Sequence, residues 1–299
     1  NTETTTADQK PANSEDYDKI EYCLKKYTAD YKKGTRYKDE YYSDKTTGLT
    51  ETQYIELKQK MLKSVYKNGG FWIGRYEAGI IENRTESGTP TAAPLSKSGT
   101  VENPVYPYTY VTCSQAQTLA NMLTTNDYTG SLMFGVQWKL VLKHIETKIG
   151  NSNLISNGKN ILTEDSTSWG NYYDASFEIN RGKYAKYAAL ISTWNDYNTE
   201  LANCVTYTNE TSTKVVATSS SNAILLTTGA SDACKKMNIY DLAGNVWEWT
   251  LECEASTGLP CVNRVGSCKS TGIKTASSSN SCSVNNNNNS TGFRVSLFK

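Results

Sequence analysis

Residues 254–292 are dominated by Ser, Thr, Asn and Gly and include the run Asn285–Asn289. By composition alone such a stretch is disordered. Yet it is bracketed by order. Before it stands NIYDLAGNVWEWT (238–250), with Trp247 and Trp249 two residues apart. After it the chain ends in GFRVSLF, where Phe293, Val295 and Leu297 alternate as on a half-buried strand. A polar loop pinned between two such strings is not a free tail. It leaves a packed scaffold and returns to it, which makes it a candidate binding surface.

Composition removes several functions. There are 31 Lys+Arg against 30 Asp+Glu, a net charge of +1, so the chain lacks the excess base of a nucleic-acid-binding face. His144 is the only histidine among the 299 residues, which excludes two-His metal centres such as the common zinc hydrolase sites. The 21 Tyr against 5 Phe favour wet binding faces, since Tyr joins contact area to a polar tip. Eight cysteines in so polar a chain favour an oxidising compartment. The alternative is that several are small buried hydrophobes, and no connectivity is assigned. No apolar run approaches the ~18–20 residues of a membrane span. The chain opens at Asn1 without an apolar signal core, which reads as a processed product whose signal or anchor lies outside this sequence.

The length allows one large domain or two small ones. Residues 1–14 read as a flexible tail. From Tyr17, apolar positions at Ile20, Cys23/Leu24, Tyr27 and Tyr31 predict a helix capped by Ser14 and stopped by Gly34. A second helix is expected from Thr50, where Gln53 completes a capping box, to Gly69-Gly70. Together, 15–69 are expected to form a helical hairpin or stalk ahead of a main domain at 70–299. FWIGRYEAG reads as a strand. Residues 82–107 hold four of the six prolines and read as a long loop. Tyr108–Thr112 reads as a short strand. Thr112 and Gln115 open a helix over 113–124 with Ala116, Leu119, Ala120 and Leu123 inward. A further helix, 136–148, carries Trp138, Val141, Leu142 and Ile145 at helical spacing, with His144 beside that stripe and expected to be partly buried and structural. Residues 150–235 read as an irregular insertion with a hairpin near Lys214–Leu226.

NIYDLAGNVWEWT and GFRVSL closely resemble the signature of the formylglycine-generating-enzyme (sulfatase-modifying factor) superfamily. Other strings stand in the order that superfamily has them. GGFWIGRYEAG (69–79) looks like its opening strand, YVTCSQAQTLAN (110–121) like its V-[ST]-W-x-x-A helix start, and LMFGVQWKLVLKHIE (132–146) stands where it has a Glu-Trp-containing helix. Arg264-Val265-Gly266-Ser267-Cys268 is similar to its R-x-G-G-S-[YW] segment. The resemblance covers roughly 70–299 and is poorest over 150–235. It implies an α+β, C-type-lectin-like fold: a small twisted antiparallel sheet, two flanking helices and much irregular structure, here preceded by the N-terminal helical segment.

The resemblance also implies a calcium site. Asp241, Glu248 and the main-chain oxygens of Gly244 and Val246 would hold one Ca²⁺, an oxygen-only donor set suited to a hard cation. The alternative is that the motif is core, with Glu248 bonded to backbone. The superfamily's oxidases bind copper through two close cysteines, as soft thiolates suit Cu(I). Cys253, Cys261, Cys268 and Cys282 do not match that spacing, so no copper and no catalytic residue are expected. Relatives making sulfur-containing histidine derivatives need a His-rich iron site, which one histidine cannot supply. Trp194-Asn195-Asp196 is similar to the calcium/sugar motif of true C-type lectins but lacks its Glu/Gln-Pro-Asn/Asp companion.

Variable binding proteins of diversity-generating retroelements, in bacteria and phages, share this fold and place their variable segment just before a GFR-like strand. Adenine-directed mutagenesis of AAC codons yields Asn, Ser, Thr, Ile, Gly, Ala, Val, Tyr and Cys, the palette of 263–291. Lys269 and Lys274 depart from it and would be template-fixed. The resemblance thus implies a non-catalytic adhesin or receptor-binding protein. Its solvent-facing ligand contacts would be Asn263, Val265, Cys268, Ser270, Thr271, Ile273, Lys274, Ser278, Cys282 and Val284. Cys268 and Cys282 would be products of diversification, and Cys23, Cys113, Cys204, Cys234, Cys253 and Cys261 scaffold residues. The expected ligand is a protein or glycan on another cell or particle, and the expected location is extracellular, on a cell surface or a virion. The alternatives are a formylglycine-type oxidase and a structural subunit of a surface filament or phage particle.

Overall fold

The computed structural model describes residues 10–31, 36–150, 158–188, 191–255 and 258–299. In chain order its helices are α1 (Tyr17–Tyr27), α2 (Asp44–Thr47), α3 (Glu51–Asn68), α4 (Cys113–Asn121), α5 (Gly135–Gly150) and α6 (Asn160–Thr163). The strands of the first half are β1 (Trp72–Ile73), β2 (Gly79–Ile80), β3 (Tyr106–Pro107), β4 (Thr129–Leu132), β5 (Phe177–Ile179) and β6 (Lys183–Lys186). Then follow β7 (Asn195–Asp196), β8 (Val205–Thr208), β9 (Thr211–Lys214), β10 (Ile224–Leu226), β11 (Lys235–Lys236) and β12 (Ile239–Tyr240). The chain closes with β13 (Trp247–Cys253), β14 (Cys261–Arg264), β15 (Ser279–Cys282), β16 (Thr291–Phe293) and β17 (Val295–Phe298). Helices and strands are mixed in an α+β arrangement. Among the described residues no helix is long and apolar enough to cross a membrane.

Helix starts follow local chemistry. Thr50 Oγ1 accepts from Gln53 N at 3.3 Å while Gln53 Oε1 accepts from Thr50 N at 2.9 Å, and α3 ends at Gly69 with φ +75°, where a glycine enters the left-handed region without strain. Thr112 and Gln115 repeat the reciprocal pair at α4. The α1 start differs from expectation. Asp16, not Ser14, occupies the cap position, and no side chain caps it. The helix closes at Tyr27, where Thr28 Oγ1 bonds Leu24 O at 2.9 Å, and Tyr31 follows in a 3-10 turn. The Gly34 stop and residues 1–9 of the tail lie outside the described residues.

The helical segment is not a stalk. Tyr54, Met61 and Leu62 of α3 are buried in one cluster with Trp249, Leu251, Phe293 and Phe298. Tyr54 Oη donates to Leu251 O at 2.9 Å. Asp39 accepts from Gly135 N at 2.5 Å and Val136 N at 2.9 Å, so it neutralises the free amides at the start of α5. An amphipathic helix as long as α3 needs a partner for its apolar stripe, and here the partner is the sheet itself.

That sheet runs β15-β14-β13-β16, with β13 and β16 parallel and the other pairs antiparallel. A second, antiparallel sheet is ordered β1-β17-β4. The FWIGRYEAG string divides into β1, paired with β17, and β2, paired with β3. The strand expected at Tyr108–Thr112 is not formed. β3 lies just before it, and Tyr110 at φ +56° breaks the extended path. Residues 150–235 are more regular than expected, holding the sheets β5-β9-β8 and β10-β6-β7, with 151–157, 189 and 190 outside the described residues. Their hairpin is β8–β9, not Lys214–Leu226. Asn209 (φ +50°) and Glu210 (φ +62°) make its turn, both positive as a two-residue hairpin turn requires. β10 pairs instead with β6. On α5, Trp138, Val141, Leu142 and Ile145 face the core, and His144, expected to be partly buried, is exposed on the outer side.

Candidate functional site

Two buried carboxylate–guanidinium pairs flank the signature strands. Glu248, on β13, meets Arg294, which lies between β16 and β17. Arg294 Nε donates to Glu248 Oε2 at 3.1 Å and Nη2 to Oε1 at 2.7 Å. The guanidinium also reaches Gly74 O at 2.9 Å and Tyr240 O at 2.8 Å. Neither side chain is exposed. The parallel pairing of Glu248 with Gly292 brings them together.

Two further carboxyls share this interior. Glu77 Oε1 accepts from Asn245 Nδ2, and Asp241 Oδ2 accepts from Gly229 N at 2.8 Å. Asn245 Oδ1 in turn accepts from Leu226 N at 3.0 Å and Asn171 Nδ2 at 2.9 Å. Glu77 Oε2 and Asp241 Oδ1 are buried with no hydrogen-bond partner. One guanidinium thus faces three carboxyls. Burial, aided by Asp241 and Glu248, pushes the Glu77 carboxyl well above the usual range. Burial pushes Asp241 up to about 7 against the pull of Gly229 N and Arg294. Burial raises Glu248 as well, with Arg294 opposing it.

Three of the four carboxylate oxygens named for calcium are therefore already engaged. Asp241, Gly244 and Val246 lie in the irregular stretch before β13, with Asp241, Gly244 and Asn245 at φ +57°, +74° and +60°, while Glu248 lies on β13 itself. But both Glu248 oxygens are taken by Arg294, and one Asp241 oxygen by Gly229. Among the described residues no three Cys, His, Asp or Glu side chains are arranged to hold a metal ion. The Glu248 carboxylate is matched here to a guanidinium. Exhaustive treatment with a chelator is expected to leave the melting temperature unchanged. A drop of several degrees, with stoichiometric calcium released, would restore the ion and require Glu248 to leave Arg294.

The second pair joins Glu252 of β13 to Arg264 of β14. Arg264 Nε donates to Glu252 Oε2 at 2.7 Å and Nη2 to Oε1 at 2.5 Å, while Nη1 reaches Ser277 O at 3.3 Å. Burial pushes the Glu252 carboxyl up, but Arg264 overcomes it and holds the group below the usual range. A cleft of about 210 Å³ opens over this pair. Tyr37, Lys139, Ile273, Lys274, Ser278 and Ser279 line it. The loop carrying those last residues is pinned through its backbone. Trp138 Nε1 donates to Ala276 O at 2.9 Å, and Tyr172 Oη to Lys274 O at 2.7 Å.

The ten expected ligand contacts separate in space. Ile273 is 71% exposed, Lys274 is exposed, and Ser278 is half-buried on the cleft wall. Ser270 and Thr271 are half-buried in the supporting turn, where Lys274 N bonds Thr271 O at 2.9 Å. Cys282 and Val284 are half-buried against the core. Asn263, Val265 and Cys268 correct the expectation, for all three are buried. Asn263 lies inside β14. Cys268 packs against Val246 and Leu225, and burial pushes its thiol up to about 12. Part of the asparagine run is likewise structural. Asn288 Oδ1 accepts from Ser290 N at 2.9 Å. Asn289 donates to Ala188 O at 2.5 Å and accepts from Tyr187 Oη.

Sequence reasoning passed over Glu77, Glu252, Arg264 and Arg294 as functional or structural centres. The signal available was charge inside apolar strings: Arg294 within GFRVSLF, and Glu252 two residues beyond WEWT. A charge there is buried only with a partner, and a string does not name the partner.

The family model described as "Sulfatase-modifying factor enzyme 1-like domain" matches residues 82–297. No curated protein matches the chain. The matched span leaves out α3 and β1, although both pack into the same body.

Proposed function

This chain belongs to the sulfatase-modifying factor enzyme 1-like family, and from that membership we propose that it is a non-catalytic binding member. It presents the cleft over Glu252–Arg264 to a protein or glycan on another cell or particle, from an extracellular, cell-surface or virion location. One observation carries this reading: Ile273, Lys274 and Ser278, from the polar segment that precedes GFRVSL, line one cleft together with the buried Glu252–Arg264 pair. Because the loop is held through Ala276 O and Lys274 O, its side chains can differ while the support stays. That is the physical requirement for a surface diversified by mutation.

The cysteines support a role without oxidase chemistry. Cys268 is packed in a different cluster from Cys261 and Cys282, and burial raises the Cys268 and Cys282 thiols to about 12 and about 11. At neutral pH such thiols hold little of the thiolate that binds copper, and they attack a substrate only slowly. Stoichiometric cuprous-ion binding coupled to oxygen-dependent oxidation of a substrate thiol would overturn the reading.

The triple substitution Ile273→Ala, Lys274→Ala and Ser278→Ala tests the cleft. Solvent-facing changes usually stay within ~0.5 kcal/mol each, and ~1 kcal/mol corresponds to about 2–4 °C in a domain of this size. The melting temperature is therefore expected to move by at most a few degrees. Binding across a panel of glycans and surface proteins is expected to be lost or redirected. An unfolded triple variant would make the segment structural.

A further inference from the structure

Cys261 and Cys282 are direct partners in the antiparallel register of β14 and β15. Directly opposed residues in such a pair have Cα atoms about 4.5–5.5 Å apart, inside the ~4.4–6.8 Å that a disulfide spans. Their side chains leave the same face of the sheet, because facing positions share the pleat. Both belong to the cluster that includes Cys113, the first residue of α4. Cys113 Sγ donates to Thr250 O at 3.5 Å, and its thiol also contacts that of Cys261. Cys253 is likewise a register partner of Cys261, but across an irregular stretch of the β13–β14 pairing. The charges about its thiol are those of Glu40, Asp39 and Lys38.

The geometry points to Cys261 and Cys282 as a site of reversible disulfide formation that fastens β15 to β14, with Cys113 as the neighbouring third thiol. Cys282 is the point of entry, because it is half-buried whereas Cys261 and Cys113 are buried. The amides of Asn263 and Asn280 lie 3.4 Å from its sulfur and donate to it. The oxidant is a low-molecular-weight disulfide such as oxidised glutathione. The Cys282 thiolate attacks one of its sulfurs, the S–S bond breaks, and one glutathione thiol leaves. The Cys261 thiolate then attacks Cys282 Sγ and expels the second glutathione. Two protein thiols lose two electrons and two protons, and one disulfide is reduced to two thiols. Burial holds the Cys282 thiol up at about 11, so closure is slow at neutral pH and speeds up as pH rises.

The consequence reaches the cleft. β15 starts at Ser279, on the cleft wall, and ends at Cys282. Closing the bond tethers the far end of the strand that carries that wall. This inference does not depend on the binding role.

The test uses the full chain. It is incubated with oxidised glutathione, unfolded, alkylated and mapped by mass spectrometry, beside a reduced sample. Six of the eight thiols should remain alkylatable, with one cross-linked peptide pair containing Cys261 and Cys282. The oxidised protein should melt several degrees above the reduced one. Cys282→Ser should abolish the shift and Cys113→Ser should keep it, each compared with its own reduced form. Eight alkylatable thiols after prolonged oxidation at pH 8.5, or a cross-link between Cys113 and Cys261 with Cys282 free, would overturn the assignment. The wild-type peptide map decides the matter even where a variant folds poorly.

Discussion

Arg294→Met is expected to lower the melting temperature by about 10 °C or more. Removing one partner of a buried ion pair costs about 3–5 kcal/mol, and each ~1 kcal/mol is about 2–4 °C in a domain of this size. Here the cost sits at the upper end. Glu248 loses both its bonds, Gly74 O and Tyr240 O lose a donor, and Glu77 and Asp241 remain nearby. The double variant Arg294→Met with Glu248→Leu should be more stable than Arg294→Met alone, since the stranded charge is gone and apolar replacements of buried pairs are often tolerated. Arg36→Ala supplies the contrast. Arg36 also pairs with a buried carboxylate, Glu254, at 3.0 Å, but is itself 52% exposed, and pairs with a partner in water contribute little. Thermal unfolding of the three variants beside the wild type checks the order. Equal losses for Arg36→Ala and Arg294→Met would refute the claim that burial decides it.

Asp241→Asn is expected to stabilise the protein at pH 8 and to do little at pH 4. The Asp241 carboxyl titrates near 7 in the fold against an ordinary value of 3.8. Between those values the native state holds a proton that the unfolded chain has released, so stability falls as pH rises. The stabilisation is complete below the unfolded value and is lost as pH passes the folded one. A shift of this size is worth at most about 4 kcal/mol. Glu77 is displaced in the same direction. Glu252 has the opposite sign: held low by Arg264 against burial, it stabilises above its ordinary 4.5 and loses that contribution as pH falls. Asparagine keeps an oxygen for Gly229 N and carries no titrating proton. Denaturant midpoints for both proteins at pH 4, 6 and 8 should diverge with rising pH. Parallel curves would mean that Asp241 titrates normally.

Much of the architecture was readable because its causes are local. The Thr50–Gln53 and Thr112–Gln115 boxes lie within one helical turn, and the inward stripe of α5 repeats every few residues. The motif strings placed the chain in its family, and here WEW and GFR form neighbouring strands. Errors came where distance intervened. Residues 15–69 look separable as a string, yet Tyr54 bonds Leu251 O across the core. Lys214–Leu226 has strand character at both ends, but β10 finds a better partner in β6.

The candidate site divides along the same line. That residues 254–292 return to a scaffold was determined by the strings on either side, as was the family. Which of those residues see solvent was decided only by the tertiary structure. Polar composition suggests exposure, but a polar group is buried whenever the fold supplies its partner. Asn289 finds Tyr187 and Ala188, Arg264 finds Glu252, and Arg294 finds Glu248. These partners come from distant parts of the chain or from neighbouring strands, and no local pattern encodes them. The low-complexity stretch is therefore part wall, part core and part strand, with Ile273 and Lys274 the exposed residues that line the cleft.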